Sequence, residues 1–496
     1  MAKTLPMTNS LAELERQVEA DLDLLDHPKT QWVQPRQHPS GAPVVDVLII
    51  GAGQSGLALS FALRRENVTN VIAVDRNPRG AEGPWSTYAR MRQLRTALDL
   101  TGPDLGIPSL TPRAWFTAKH GAAAWDALVR FPTLEWHDYL SWYRRVLKIP
   151  VWNETEVGPL EADNPASPDS LIRVPLKSTG ASGRDTVVYA REVVLANGLE
   201  GCGEWHVPAL VTDALPPDRY AQANGDIDFA ALKGRRIAIL GANAGAFDNA
   251  ATALETGARE AHLFVRRREI AKVNAHKPFD NIAYLKHFTE FDELERWRIA
   301  CHVLCTHQPP PQETFERANA LDGFHMHEDA AWKSVALGGE DGQEICVETV
   351  GGARHKFDFV IAATGHINNF HLRGETAALA DKIALWRDRF TPPPGEDYAP
   401  AGTYPYLGRN FEFTEKTAGD APYLHHIHCF TLGTLLSLGM TGSSVTTMRF
   451  GIRRILEGLT RQLFRDDIEY HYRRIMEHDE IDLIVPNASA DNQEAD

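Results

Sequence analysis

The sequence predicts an α/β fold of two strand–turn–helix–strand units, the second inserted into the first, with a small antiparallel meander beside the first unit. Three observations carry the prediction. Short apolar runs at 44–50 and 237–240 each lead into a glycine-rich turn and a helical stretch. Segments at 151–156, 170–176 and 186–189 mix apolar and polar residues between turn-rich breaks, the pattern of antiparallel strands. A chain of 496 residues also exceeds what one compact core organises. Residues 1–43 are expected to form an N-terminal helix and linker, 44–204 and 345–470 the first domain, 205–344 the second with a helical insertion, and 471–496 a C-terminal tail.

Residues 10–26 read as an amphipathic helix. Ser10 with Glu13 makes a capping box, and Leu11, Leu14, Val18, Leu22 and Leu25 recur at helical spacing. This helix is expected to pack on the main body, with the Pro-rich stretch 27–43 as a spacer. Val44–Ile50 is so apolar that it reads as the central strand of a parallel sheet covered on both faces. Further strands are expected at 70–75 and 192–198. Residues 270–320 read as mainly helical, broken by Pro309-Pro310-Pro311. The run 358–365 repeats the strand-to-glycine theme, and a helix over 443–463 closes the fold.

The first turn reads Gly51-Ala52-Gly53-Gln54-Ser55-Gly56. Gly51 makes the tight turn, Gly53 leaves room for a pyrophosphate to approach the backbone, and Gly56 lets helix and strand pack closely. The free N–H groups and partial positive charge of a helix start suit that diphosphate. Asp75 ends the next strand, where its carboxylate can accept hydrogen bonds from a ribose diol and would repel a 2′-phosphate. That fits FAD or NAD rather than NADP.

The second turn reads Gly241-Ala242-Asn243-Ala244-Gly245-Ala246. The fingerprint accepts alanine at its last position, as at Ala246, but Asn243 brings a side chain to where backbone should meet the pyrophosphate. The following strand ends in Arg266-Arg267-Arg268 instead of an acid. Arg266 and Arg267 can clamp a 2′-phosphate there and select NADPH. A solvated basic cluster is the other reading.

The formal charge of −15 argues against a nucleic-acid partner, since phosphate binding needs a cationic surface. Five cysteines, an odd and sparse set without Cys-x-x-Cys, suggest a reducing compartment; Cys301 and Cys305 read as two core thiols on one helix face. No signal-like segment and no apolar stretch of about 18 residues occurs, so a cytoplasmic, membrane-free protein is expected. A homo-oligomer is compatible with all of this.

With the two glycine turns in this order, Gly83-Pro84-Trp85 after the first unit and Ala363-Thr364-Gly365 at a strand end, the chain resembles the flavin-containing monooxygenases over about residues 44 to 460. That group has two dinucleotide-binding domains and includes N-hydroxylating and Baeyer–Villiger enzymes. The resemblance implies FAD on the first unit and NADPH on the second. It implies a reaction in which NADPH reduces the flavin, O2 forms a C4a-(hydro)peroxide, and one oxygen atom passes to a small organic substrate. It sets Trp85 beside the flavin and draws Arg76, Thr364 and Gly365 into the cofactor-binding set. Ala196-Asn197-Gly198 stands where the family often has a second Ala-Thr-Gly linker. The Baeyer–Villiger pattern of Phe, Gly, His and Trp before the second glycine turn is missing, which favours oxidation at nitrogen or sulfur, or ring hydroxylation.

Arg92 and Arg95 either stabilise the charge of reduced flavin or are surface arginines. His425, His426 and His428, with His366, match no usual zinc spacing. No metal is expected, and these histidines are read as lining a flavin or substrate cavity. The glycine turn at 438–444 resembles the late turn whose helix dipole faces the flavin pyrimidine, with Ser443 or Ser444 as cap. No single catalytic side chain stands out. A flavin reductase or dehydrogenase without oxygen transfer, and a non-catalytic flavoprotein with a degenerate NADPH site, are the competing readings.

Overall fold

The computed structural model describes residues 10–25, 30–98, 102–180, 183, 185–442 and 444–484. Val44–Ile50 lies at the centre of the first sheet, paired in parallel with Val71–Val74 on one side and Thr186–Leu195 on the other. Val151–Trp152 extends the sheet beyond Val71–Val74, and Ile427–Cys429 pairs with Thr186–Leu195 as a late closing strand, both in parallel. Val45 to Ile50 are all buried, as cover on two faces requires.

The meander is there, but its membership differs from the sequence expectation. Thr155–Val157 and Ile172–Ser178 run antiparallel onto Thr186–Leu195, whereas Val151–Trp152 belongs to the parallel part. The segments expected separately at 186–189 and 192–198 form one strand that serves both parts. Its middle hides two charges that local sequence presents as polar. Arg191 is buried among Asp46, Asp466 and Asp467, at 3.5, 3.2 and 3.0 Å. Glu192 is buried between His426 Nδ1 and His428 Nε2, each at 2.8 Å. Burying a charge is tolerable only with such partners.

Helix Gln54–Arg65 follows the central strand, and the long helix Val445–Asp466 packs against it. The N-terminal helix Leu11–Leu24 docks on the body as expected. Leu14 and Val18 enter a cluster with Trp115, Trp136, Tyr139 and Tyr143, and Ser10 Oγ accepts the N–H of Glu13 at 3.3 Å.

The second sheet is parallel throughout, in the order Phe324–His327, Glu260–Phe264, Arg236–Leu240, Phe359–Ala362, Tyr220–Gln222. Phe359–Ala362 falls within 345–470, which the sequence analysis placed with the first domain, yet it pairs with Arg236–Leu240. The antiparallel strands Trp332–Gly338, Glu344–Thr349 and Arg354–Phe357 also cover this second sheet, through Trp332, Val335, Ile345, Val347 and Phe357. An apolar strand ending in glycine suits either parallel sheet equally well, so local sequence does not decide between them. The stretch 270–320 is helical at Ile282–His287, Glu293–Thr306 and Gln312–Asn319, with the triproline between the last two. Among the described residues no helix is long and apolar enough to cross a membrane.

Candidate active site

At the carboxyl ends of the first sheet's strands, a cleft of about 590 Å³ runs past Gly51, Gly53, Gln54 and Ser55. The three turn glycines differ in the space around them. Gly51 has φ +102°, and a Cβ there would lie 2.6 Å from the Ala196 carbonyl oxygen. A Cβ on Gly56 would lie 1.9 Å from the Gly51 carbonyl oxygen, so helix and strand meet only without one. A Cβ on Gly53 would meet nothing nearer than the Gly83 Cα at 3.8 Å, which leaves the cleft floor open. Gly53 is also the N-cap of Gln54–Arg65, and no side chain caps that helix start. Its amide dipoles therefore face the cleft.

Asp75 lines the same cleft. One carboxylate oxygen accepts the Ala52 N–H and the other the Asn77 N–H, each at 2.9 Å. Burial pushes its pKa up, and these two N–H groups oppose that shift. Arg76 lies at the rim, 57% exposed, with Nη2 3.1 Å from Glu200. The cleft is also lined by Gly83, Pro84, Trp85, Met91, Leu94, Arg95, Ser444 and Val445. Ser444 holds the N-cap position of Val445–Asp466, so a second helix start borders the cleft; Ser443 lies outside the described residues.

Two buried polar atoms on the cleft wall, Trp85 Nε1 and Asn197 Oδ1, have no hydrogen-bond partner among the described residues. An orphan donor and an orphan acceptor beside an open glycine floor are what a bound flavin dinucleotide would satisfy. The cleft fits FAD.

Several expected residues sit elsewhere. Arg92 is 68% exposed and pairs with Glu255 at 2.8 Å. Arg95 lines the cleft but also pairs at 3.2 Å with the buried Asp248 on helix Ala244–Glu255, joining the two units. Thr364 and Gly365 lie outside the cleft, on the return from the second sheet, where the Thr364 hydroxyl donates to the His206 carbonyl at 2.5 Å. His426 and His428 are buried outside this cleft and hold Glu192. Cys305 is exposed, so it is not a core thiol. Conversely, Asn197, Glu200, Arg373 and Glu375 line the cleft without having been singled out as site residues. Asn197 carried a signal, as the strand-end turn; Arg373 and Glu375 carried none.

In the second unit, Gly241 repeats the geometry of Gly51, with φ +120° and a Cβ position 2.3 Å from the Ala363 carbonyl oxygen. Asn243 does not take a left-handed backbone (φ −77°, ψ 170°). Its side chain turns back as the helix N-cap, accepting the Ala246 N–H at 3.0 Å and donating to the Ala363 carbonyl at 2.9 Å. Folded this way, it occupies one amide donor and stays in contact with Gly245, whose Cβ position lies 3.2 Å from Asn243 Oδ1. Arg266 is exposed; Arg267 is half-buried, with Nη1 3.4 Å from the Thr306 carbonyl. Burial, then the charges of Arg267 and Arg266, push the His307 pKa down. The strand end thus carries a positive field.

A glycine turn, its acid partner and an inserted second unit of the same plan make this a flavoprotein with two dinucleotide-binding domains. The chain is 41% identical over 475 residues, 96% of its own length and 98% of the relative's, to the FAD-dependent urate hydroxylase of Xanthomonas campestris pv. campestris. It belongs to that enzyme's family, among the flavin-dependent monooxygenases. No family model matches. Solved structures agree on the fold. Ornithine hydroxylase PvdA of Pseudomonas aeruginosa superposes with a TM-score of 0.64 at 17% identity, over 85% of this chain and all (100%) of that one. The Kutzneria sp. 744 ornithine N-hydroxylase KtzI, in its form with reduced FAD, NADP+ and L-ornithine, gives 0.62 at 16% identity over 85% and 100%.

Proposed function

We propose that this FAD- and NADPH-dependent monooxygenase hydroxylates urate. The observation that carries the proposal is the 41% identity with a urate hydroxylase, which runs through nearly the full length of both chains. Bound FAD would supply hydride acceptance and oxygen activation, so the protein's task is binding, orientation and exclusion of water.

The amides at Gly53 and the start of Gln54–Arg65 receive the diphosphate, and Asp75 receives the ribose diol. Trp85 Nε1 donates toward the flavin end of the cleft, and the wall of Met91, Leu94 and Val445 keeps that end apolar. Arg95 and Arg373 bring guanidinium groups to the cleft wall, where each is paired, Arg95 with Asp248 at 3.2 Å and Arg373 with Glu375 at 3.0 Å. Arg266 and Arg267 receive the 2′-phosphate of NADPH, and Gly241, Gly245 and Ala246 frame its pyrophosphate turn, with Asn243 capping the helix. The sparse cysteine set supports a reducing, cytoplasmic setting.

The test is aerobic turnover with NADPH and urate. Urate should speed NADPH oxidation and disappear in proportion to it. NADPH oxidation that ignores urate, or that releases only hydrogen peroxide while urate persists, refutes the substrate assignment.

A further inference from the structure

The face of the second sheet under the antiparallel cover holds a histidine cluster that the cleft chemistry does not use. Parallel register sets His262 opposite His325 and Phe264 opposite His327. Strand alternation puts all four on one face. The cover strand Arg354–Phe357 lays His355 and Phe357 over them, with ring centroids 4.8 Å apart for His327 and His355 and 5.1 Å for His262 and Phe357.

Three of these imidazoles converge. One ring nitrogen from each of His262, His327 and His355 lies within 4.8 Å of the others, and all three residues are half-buried. His262 Nδ1 and His327 Nε2 are 2.9 Å apart. On the far side of its ring, the buried His262 Nε2 has no hydrogen bond but sits 3.4 Å from a Glu260 carboxylate oxygen. Burial lowers the pKa of all three rings, aided at His262 and His327 by neighbouring histidines. Zinc–imidazole bonds of about 2.0–2.1 Å need nitrogens roughly 3.4 Å apart in a tetrahedron, about 1.4 Å closer than the 4.8 Å that bounds their separations here.

We propose that His262, His327 and His355 bind one divalent ion of the zinc class, each through one ring nitrogen, with water in the fourth position. Imidazole donors select zinc, nickel and copper over magnesium or calcium. Glu260 stands where it can take the outer N–H of His262, the second partner that metal-bound histidines usually have. His262 and His327 come from adjacent strands of the sheet and His355 from its cover, so the ion staples the two layers. The three residues lie far apart in sequence on three strands, so no ligand spacing announced them.

The experiment uses full-length holoenzyme without a histidine tag, dialysed against EDTA with its flavin retained. Zn2+ is titrated in competition with a chromophoric chelator, and melting is followed with and without Zn2+. One equivalent should bind and raise the melting temperature by about 2–5 °C. His355→Ala and His327→Gln should each weaken binding at least tenfold and abolish the shift, whereas His325→Ala, at the exposed neighbour, should retain both. Retained flavin and an unchanged circular dichroism spectrum identify folded variants. Absence of stoichiometric binding in the wild type, or equal binding by folded His355→Ala and His327→Gln proteins, overturns the proposal.

Discussion

Replacing Gly56 by alanine tests the steric basis of the cofactor cleft. The added Cβ would stand 1.9 Å from the Gly51 carbonyl oxygen, which is 1.5 Å inside the 3.4 Å at which ordinary contact begins. Gly51 cannot yield: its N–H is bound to the Val74 carbonyl at 2.8 Å, and its own Cβ position abuts Ala196. The helix start must therefore move by about that shortfall, and hydrogen bonds to a diphosphate do not survive such a shift. Losing one or two charge-assisted bonds costs roughly 2–4 kcal/mol, or about 30- to 700-fold in FAD affinity. Overpacking adds about 1–3 kcal/mol of lost stability. Titrating deflavinated protein with FAD, followed by quenching of flavin fluorescence, measures the first effect. Gly351→Ala, where a Cβ would meet only Thr349 Oγ1 at 3.9 Å, is the comparator. Gly56→Ala protein that binds FAD within about threefold of wild type would refute the reasoning.

Other outcomes follow from the same structure. Arg266→Ala with Arg267→Ala should reduce the preference for NADPH over NADH about tenfold or more in anaerobic flavin reduction; an unchanged ratio removes both residues from the 2′-phosphate site. Arg191→Met leaves Asp46, Asp466 and Asp467 without their shared cation and should cost about 3–5 kcal/mol in denaturant unfolding. At Glu192, burial alone would lower the pKa values of His426 and His428, but the carboxylate outweighs it and raises both above 6.5. A raised histidine pKa stabilises fully below the unfolded value and fades as pH rises through the folded one. Melting temperature should therefore fall above about pH 6.5, and Glu192→Gln should flatten that slope.

The parts of the fold set by short-range pattern were legible in the sequence: both glycine turns, the strand before each and the docking of the N-terminal helix. Gly51 and Gly56 were assigned from spacing alone because a close backbone contact leaves few residue choices. What needed the structure was pairing between distant segments. Nothing local tells Phe359–Ala362 which parallel sheet to join. The polar pair Arg191-Glu192 sits inside a strand only because partners distant in the sequence neutralise it, and the same distance hid the role of His426 and His428. Asn243 was read for its bulk, whereas its capping geometry decides where that bulk goes. Arg373 and Glu375 reach the cleft from a segment with no motif, so only three-dimensional proximity exposes them.

The most direct measurement is the absorbance spectrum and flavin content of the protein purified to homogeneity. One FAD per chain, released on denaturation and rebound on renaturation or added back to the stripped protein, is the expected result. Colourless protein that cannot take up FAD would contradict the assignment of the cleft beside Gly53, Asp75 and Trp85.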